Sequence, residues 1–368
     1  MTSPVLFEQI ATQDGHALGV ITLNSEKTLN SLTLEMVELM LEKLLHWQTD
    51  AKIAAVFIQG AGEKAFCAGG DVQALRQSSV QNPGGPCDYA ETFFAREYRL
   101  DYLLHNYGKP TIVWGHGIVM GGGLGIFAGC SHRIATERTR IAMPEVTIAL
   151  FPDVGGSYFL NRMPGHCGRF LALSAASING ADSLYACIAN FAISQSHKPE
   201  LLEQLQALDW SSSLISTELT ALFENFQRQS SADIPPGNLE THQTMIDKLC
   251  QGDDVNLIAQ RFAELETEDR WLQRAQSGLA GGSPLAVKWI FRQLQLCEGL
   301  SLKEVFEKEI LLATNIVRHS EFAEGVRALL VDKDHAPNWQ YKQLSDVTDD
   351  VIAPFFQAPW PQNPLRDL

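Results

Sequence analysis

Three short segments carry residue types able to act on an acyl group. Cys67-Ala68-Gly69-Gly70-Asp71 follows an apolar, strand-like run at 53–59, and Gly121-Gly122-Gly123 follows another at 111–114. Glycine lets a chain turn sharply at a strand end and lets a ligand approach its amide closely. Two such turns from different strands can aim two N–H groups at one point, which is what a developing oxyanion requires. The third segment runs from Met143-Pro144-Glu145 to Phe151-Pro152-Asp153-Val154-Gly155-Gly156 and adds two carboxylates beside further tight turns. Neutral donors for an oxyanion together with paired carboxylates point to acyl chemistry.

Each segment taken singly has an ordinary structural explanation. Ala68-Gly69-Gly70-Asp71 can be a plain strand-to-helix turn. Asp153 in Pro-Asp-Val-Gly-Gly can be a turn former or N-cap, and Glu145 can be solvated at a strand end. The triplet at 121–123 is neither GxGxxG with an acid about twenty residues on nor GxxxxGK[ST], so nucleotide binding of either kind has no support. It is the joint occurrence of the three segments, in this order, that singles out the chemistry.

The elements that must position these residues alternate. Residues 5–23 predict a hairpin around Asp14-Gly15. Thr33 is the expected N-cap of a helix to about residue 49, with Leu34, Val37, Leu41, Leu44 and Leu45 on one face. A buried strand is expected at 53–59, a loop at 66–71, a helix at 89–105, a strand at 111–114, a buried helix at 121–130, and short strands at 132–136 and 140–143. This rhythm predicts an α/β core with repeated crossovers. After about residue 194 helical periodicity dominates, with apolar stripes at 198–208, 285–297 and 302–317 and loops at Pro235-Pro236-Gly237 and Gly281-Gly282-Ser283-Pro284. The expected organisation is a core over 1–195, carrying acyl binding and catalysis, and a helical region over 196–368 packing on it.

Bulk properties narrow the function. The 368 residues carry a formal net charge of −15, which argues against a general nucleic-acid surface. No run of eighteen apolar residues predicts a membrane span. The start, Met1-Thr2-Ser3-Pro4, has no basic leader, and seven widely spaced cysteines (67, 87, 130, 167, 187, 250 and 297) include no CxxC. Reduced thiols and a cytoplasmic location are the expectation. No Cys/His cluster has metal-ligand spacing and HExxH is absent, so no metal site is expected.

Over roughly residues 5–195 the chain resembles the crotonase (enoyl-CoA hydratase/isomerase) superfamily. Lys64-Ala65-Phe66-Cys67-Ala68-Gly69-Gly70-Asp71 is similar to its first oxyanion loop, His116-Gly117-Ile118-Val119-Met120-Gly121-Gly122-Gly123 to its second, and Ala142-Met143-Pro144-Glu145 to its acid-bearing strand. The stretch 143–160, with Leu-Phe-Pro-Asp-Val-Gly-Gly-Ser-Tyr-Phe-Leu, is closest to a branch that hydrolyses short β-hydroxyacyl-CoA thioesters. Phe94-Ala95-Arg96-Glu97-Tyr98 and the C-terminal run from Glu321 to Asp334 resemble the same branch. One departure separates the chain from hydratases, which follow the triplet with Cys-Glu: here Leu124-Gly125 stands instead, and Gly125 occupies the place of a catalytic glutamate.

The resemblance implies a fold of repeated ββα units wound as a spiral, with a helical C-terminal region. It implies an oxyanion hole from the N–H groups of Gly70 and Gly122, with Glu145 as nucleophile or general base and Asp153 as its companion. It places Glu97, Gly122, Glu145 and Asp153 at the substrate, and Lys27, Ala68, Gly70 and Asp71 near CoA. Lys64 and Arg76 are further candidates for its phosphates, and Glu97 has a plain alternative as a surface partner of Arg96 or Arg99. His116 and Cys67 are expected to be structural. No cofactor is implied beyond the CoA of the substrate. The partner is a small acyl-CoA, with neither nucleic acid nor membrane. Superfamily members commonly form trimers or hexamers, so a homo-oligomer is open. A hydratase or isomerase of the same fold, and a non-catalytic acyl-CoA-binding protein, are the competing functions.

Overall fold

The computed structural model describes residues 3–368. By contacts the chain forms two compact units. One comprises the chain up to Gly70 with Leu103–Ile141 and Ile178–Glu240; the other comprises Asp71–Tyr102, Ala142–Ser177 and Thr241–Leu368. Each unit is thus built from three separated stretches. The change expected near residue 195 is a change of element type: among the described residues no strand follows Phe191–Ala192.

In the first unit, the strands Val5–Ala11 and Ala17–Leu23 pair antiparallel. The hairpin was expected, but its connection is five residues long rather than a tight two-residue turn. Asp14 accepts from the His16 backbone at 3.3 Å and Gly15 adopts φ +92°. Parallel strands then extend the sheet in the order Ile53–Gly60, Thr111–Gly115, His132–Ala135 and Phe191–Ala192. Thr33 caps the helix Leu34–Thr49 as expected, its hydroxyl accepting from the Met36 N–H at 3.2 Å.

Alternate residues of this sheet point one way, as a strand's period of two demands. Leu18 and Val20, Ala55 and Phe57, and Ile112 and Trp114 enter one buried cluster, closed by Leu201, Leu205, Leu219, Phe223 and Phe226 from the helices Lys198–Ala207 and Ile215–Ser230. Full burial of each large side chain contributes about 1.5–3 kcal/mol.

A second, three-stranded sheet orders Ala65–Cys67, Ile118–Met120 and Arg140–Ala142. Two of these strands differ from expectation. Phe66 and Cys67 fall in the loop expected at 66–71, and no strand is expected at 118–120, because a three-residue strand leaves no measurable alternation. A long strand followed by a short one therefore recurs along the chain.

The second unit is helical. The helix Asp88–His105 contributes its residues up to Tyr102. The segment 143–160 is enclosed by later helices: Trp289 Nε1 donates to the Leu150 carbonyl at 2.9 Å, and a Cβ on Gly325 would lie 2.6 Å from the Ile148 backbone. The helix Leu302–Val317 brings Phe306 against Tyr98, with ring centroids 5.7 Å apart. Residues beyond 195 thus pack on residues before it inside this unit.

Candidate active site

In the first unit, Ala65–Cys67 runs parallel to Ile118–Met120, with Cys67 opposite Val119. The two loops that leave these strands therefore start side by side. Gly69 turns at φ +105°, where a Cβ would lie 3.4 Å from the Met120 carbonyl oxygen and 3.8 Å from the Gly122 nitrogen. Gly123 has no room for a side chain: a Cβ would sit 2.5 Å from the Cys67 carbonyl oxygen and 2.6 Å from its Cβ. The first loop is pinned by Leu32 N–H to the Gly69 carbonyl at 2.8 Å and Ala68 N–H to the Leu29 carbonyl at 3.0 Å.

Those bonds leave the Gly70 N–H without an acceptor among the described residues. Gly122 opens the buried helix Gly122–Gly129, so its N–H has no partner within the helix. The amides of Gly70 and Gly122 thus stand at the ends of two loops that start from neighbouring strands.

The remaining expectations around these loops divide. His116 is structural, with Nε2 2.9 Å from the Gly62 carbonyl and burial lowering its pKa. Cys67 is buried under Gly123. Lys27 is exposed in the short turn of helix Glu26–Thr28, and Ala68 is half-buried. In the second unit, Asp71 caps the helix Val72–Gln81 by accepting from the Ala74 N–H at 3.2 Å, and Arg76 Nε donates to the Ala323 carbonyl.

The second unit gathers the acids. Glu145 opens the single 3₁₀ turn Glu145–Ile148 behind Pro144, and is only 4% exposed. Asp153, also 4% exposed, precedes two residues of positive φ, Val154 at +52° and Gly155 at +82°. That turn is clamped from afar: Glu309 Oε2 accepts from the Gly155 N–H at 2.8 Å and Oε1 from the Ser157 N–H at 2.9 Å. Tyr98 donates its hydroxyl to Asp153 Oδ2 at 2.7 Å. Glu97 is 2% exposed and not a surface ion pair; Arg99 pairs with Asp367 instead. Asp101, one turn after Glu97 on the same helix face, is wholly buried.

Electrostatics follow from burial. Removing a carboxylate from water disfavours its charge, and a neighbouring carboxylate adds to the cost. Burial, then Asp153, push Glu145 well above the usual carboxylate range. Burial, then Asp153 and Glu145, do the same to Glu97. Asp153 is raised to about 7 by burial, against the lowering effect of the Tyr98 bond. Burial lifts Glu309 to about 8 in spite of its two amide donors. Among the described residues no group of three His, Cys, Asp or Glu side chains is disposed to hold a metal ion.

Sequence reasoning missed Tyr98, Asp101 and Glu309 as members of this set. The available signal was spacing: Asp101 lies at i+4 from Glu97, and Glu309 interrupts the apolar stripe of Val305, Phe306, Ile310 and Ala313. A lone acid on an apolar face must find donors or stay neutral.

Comparison with known proteins fits this arrangement. The enoyl-CoA hydratase/isomerase family matches residues 18–356. The chain belongs to that family and has the crotonase fold, with a helical C-terminal region. Among its relatives, the mitochondrial 3-hydroxyisobutyryl-CoA hydrolase of Danio rerio is 39% identical, over 97% of this chain and 90% of that protein. The human protein of the same description is 35% identical, over 95% of this chain and 89% of its own length. Among solved structures, a carnitinyl-CoA dehydratase from Mycobacterium thermoresistibile superposes with a TM-score of 0.84 at 30% identity, over all of both chains. An enoyl-CoA hydratase from Rhodobacter sphaeroides gives 0.83 at 29%, over 97% of this chain and 98% of its own.

These relatives overturn the cytoplasmic expectation, since the curated hydrolases are described as mitochondrial. That expectation rested on residues 1–4 and on thiol usage, neither of which reports on location as directly as relatives along nearly the whole chain do. None of the seven cysteines forms a disulfide within the chain. Among the described residues no helix is long and apolar enough to cross a membrane.

Proposed function

We propose that this chain is a CoA thioesterase that hydrolyses 3-hydroxyisobutyryl-CoA to 3-hydroxyisobutyrate and CoA, a step of valine breakdown. The observation that carries the reading is Glu145: a buried carboxyl with Oε2 unpartnered, beside Asp153, in a chain where Gly125 replaces the second glutamate that hydration would use. Relatives described as such hydrolases along nearly the whole chain support the substrate.

The thioester oxygen is assigned to the amides of Gly70 and Gly122. They are neutral donors set in direction by the fold, and losing one such donor costs about 3–4 kcal/mol of transition-state stabilisation. Glu145 either attacks the carbonyl carbon, giving an anhydride that water then opens, or takes a proton from the attacking water. In the general-base route water forms the new C–O bond as the C–S bond breaks, and the proton that Glu145 takes from water passes to the departing thiolate. In the anhydride route the C–S bond breaks as Glu145 bonds the acyl carbon. Water then opens the anhydride, one of its protons going to the thiolate released in the first step. Glu97 and Asp153 receive the substrate's β-hydroxyl. Lys27 faces the CoA phosphates, and Ala68, Gly70 and Asp71 line its path. The 1–195 stretch carries these residues, and 196–368 supports it through contacts such as that of Glu309. The chemistry needs no cofactor apart from the substrate's own CoA, and self-association of the chain completes the proposal.

The test is free-thiol release from 3-hydroxyisobutyryl-CoA by the wild type and by Glu145→Gln, with crotonyl-CoA hydration measured in parallel. Thiol release that the variant loses while still binding CoA supports the reading. Crotonyl-CoA hydration without thiol release replaces it with a hydratase. CoA binding with neither activity replaces it with a binding protein.

A further inference from the structure

The second unit holds more acid than thioester hydrolysis requires. Both oxygens of Asp101 lack a hydrogen-bond partner, as do Glu97 Oε1 and Glu145 Oε2, and all three side chains are at least nine-tenths buried. The elements that face one another here each bring acids: Glu97 and Asp101, with the Tyr98 phenol, from the helix Asp88–His105; Glu145 and Asp153 from the segment that follows Met143; Glu309 from the helix Leu302–Val317. The charges acting on Glu97 are those of Asp153 and Glu145, and those acting on Asp101 are Glu97, Asp153 and Glu309. No basic side chain is among them. Buried acceptors in this state gain most from a ligand that brings both donors and positive charge.

We propose that the site also hydrolyses β-aminoacyl-CoA thioesters, with the substrate's β-ammonium taking the place of the β-hydroxyl and donating to the unpartnered oxygens around Glu97. The inference rests on the assignment of Glu97 and Asp153 to the β-substituent. An ammonium is close in size to a hydroxyl but offers three donors and a full charge. The same electrostatics reject an acyl group with a β-carboxylate, which would add one more negative charge to an uncompensated set. The reaction balances as before. Water oxygen bonds to the acyl carbon, the C–S bond breaks, the thiol leaves with a water proton, and the ammonium is unchanged. The products are a β-amino acid and CoA.

A signature separates ionic binding from mere tolerance. The amine stays charged below about pH 9, between the lysine and α-amino values, and its binding favours the ionised form of carboxyls whose charge burial and one another disfavour. Binding therefore releases protons, and KM for the amino substrate falls as pH rises from 6 to 8, while KM for the hydroxy substrate changes less.

The experiment is thiol release by the full chain from 3-aminopropionyl-CoA, 3-hydroxypropionyl-CoA, propionyl-CoA and malonyl-CoA, each with its uncatalysed rate subtracted, at several pH values. The expected kcat/KM for the amino substrate lies within about tenfold of the hydroxy substrate, with malonyl-CoA at least about a hundredfold lower. Glu97→Gln keeps an acceptor for a hydroxyl but loses the charge, so it lowers the amino rate at least about tenfold more than the hydroxy rate. An amino substrate no better than propionyl-CoA, with the hydroxy substrate turned over, overturns this inference and leaves the hydrolase reading standing. Failure of both the hydroxy substrate and 3-hydroxyisobutyryl-CoA overturns both. Should Glu97→Gln not fold, the pH dependence of the two KM values in the unaltered chain decides: parallel profiles overturn the inference.

Discussion

The phenol of Tyr98 donates to Asp153 Oδ2 at 2.7 Å, and neither residue reaches solvent appreciably. The bond joins the helix Asp88–His105 to the positive-φ turn after Asp153. The phenol's own proton stays on, because burial and then the neighbouring Asp153 hold its pKa well above the usual tyrosine range. Tyr98 is thus a donor at every working pH, and it favours the ionised form of Asp153 against the cost of burial.

Tyr98→Phe removes that donor without changing ring packing. The Asp153 carboxyl, near 7 in the wild type, moves higher. The acid limb of kcat/KM against pH shifts upward with it, and the fold loses about 1–3 kcal/mol, as expected for a buried charged acceptor left unpaired. A pH–rate profile and a urea titration of both proteins check this. An unmoved acid limb removes Asp153 ionisation from the reaction.

Gly123→Ala places a methyl 2.5 Å from a backbone oxygen, so the loop at Cys67 or the start of the helix Gly122–Gly129 must move. Overpacking of this kind costs about 1–3 kcal/mol. A shift of the two amides lowers kcat by about 10- to 100-fold with a smaller change in KM. Gly281→Ala is the control, since a Cβ there meets nothing within 4 Å. Steady-state kinetics with thermal melts distinguish the two variants.

The sequence exposed the donors more readily than the acids. Glycines at 69, 70 and at 121–123 are ordinary turns taken singly and informative only together after two strands, and the parallel pairing of Cys67 with Val119 brings the loops together. Thr33, at the head of an apolar stripe, likewise reads directly as a cap. Glu309 does not. Its partners are 154 and 152 residues away in the chain, so no local pattern announces that it clamps Gly155 and Ser157. Asp101 is illegible for a related reason: spacing puts it on the face of Glu97, but burial of both follows from helices that close over them. Gly156–Leu160 and Gly180–Tyr185 span under two turns each, too short to show a period. By contrast Ile215–Ser230, with Leu219, Phe223 and Phe226 buried on one face, and Arg270–Gly281, with Leu272, Ala275 and Leu279, carry a legible helical spacing that sequence reasoning missed.

Asp71 separates a structural role from a ligand role. As an N-cap it is replaceable by Asn, whereas Ala costs about 0.5–2 kcal/mol. If Asp71 only lines the path of CoA while capping its helix, Asp71→Asn retains both stability and KM for acyl-CoA. Asp71→Ala loses stability first. Lys27→Ala, on an exposed residue, leaves the melting temperature unchanged and raises KM in a salt-dependent way. A KM increase in Asp71→Asn alone assigns the carboxylate itself to the ligand.

The buried acids set how stability responds to pH. Glu97, Asp101, Glu145, Asp153 and Glu309 all have folded pKa values above their ordinary ones, Asp153 near 7 and Glu309 near 8. From about pH 6.5 to about pH 8 these acids make the folded chain bind more protons than the unfolded chain, so stability falls as pH rises through that window. At lower pH the histidines His105, His116, His132 and His319, held below their ordinary value by burial, oppose them, because they take up protons more readily once unfolded. Below that window the trend reverses, because exposed acids held low by hydrogen bonds, such as Asp254 and Glu304, also become protonated. Maximum stability is expected on the acidic side of neutrality. Asp101→Asn tests the cause: both Asp101 oxygens are unpartnered, so the amide sacrifices no hydrogen bond and removes one acid that burial and then Glu97 hold high. The variant is expected to gain stability at pH 8, to change little at pH 5, and to flatten the slope between them. Urea midpoints at pH 5, 6.5 and 8 measure it, and a variant less stable than the wild type at pH 8 would show that Asp101 is ionised and bonded in the folded chain.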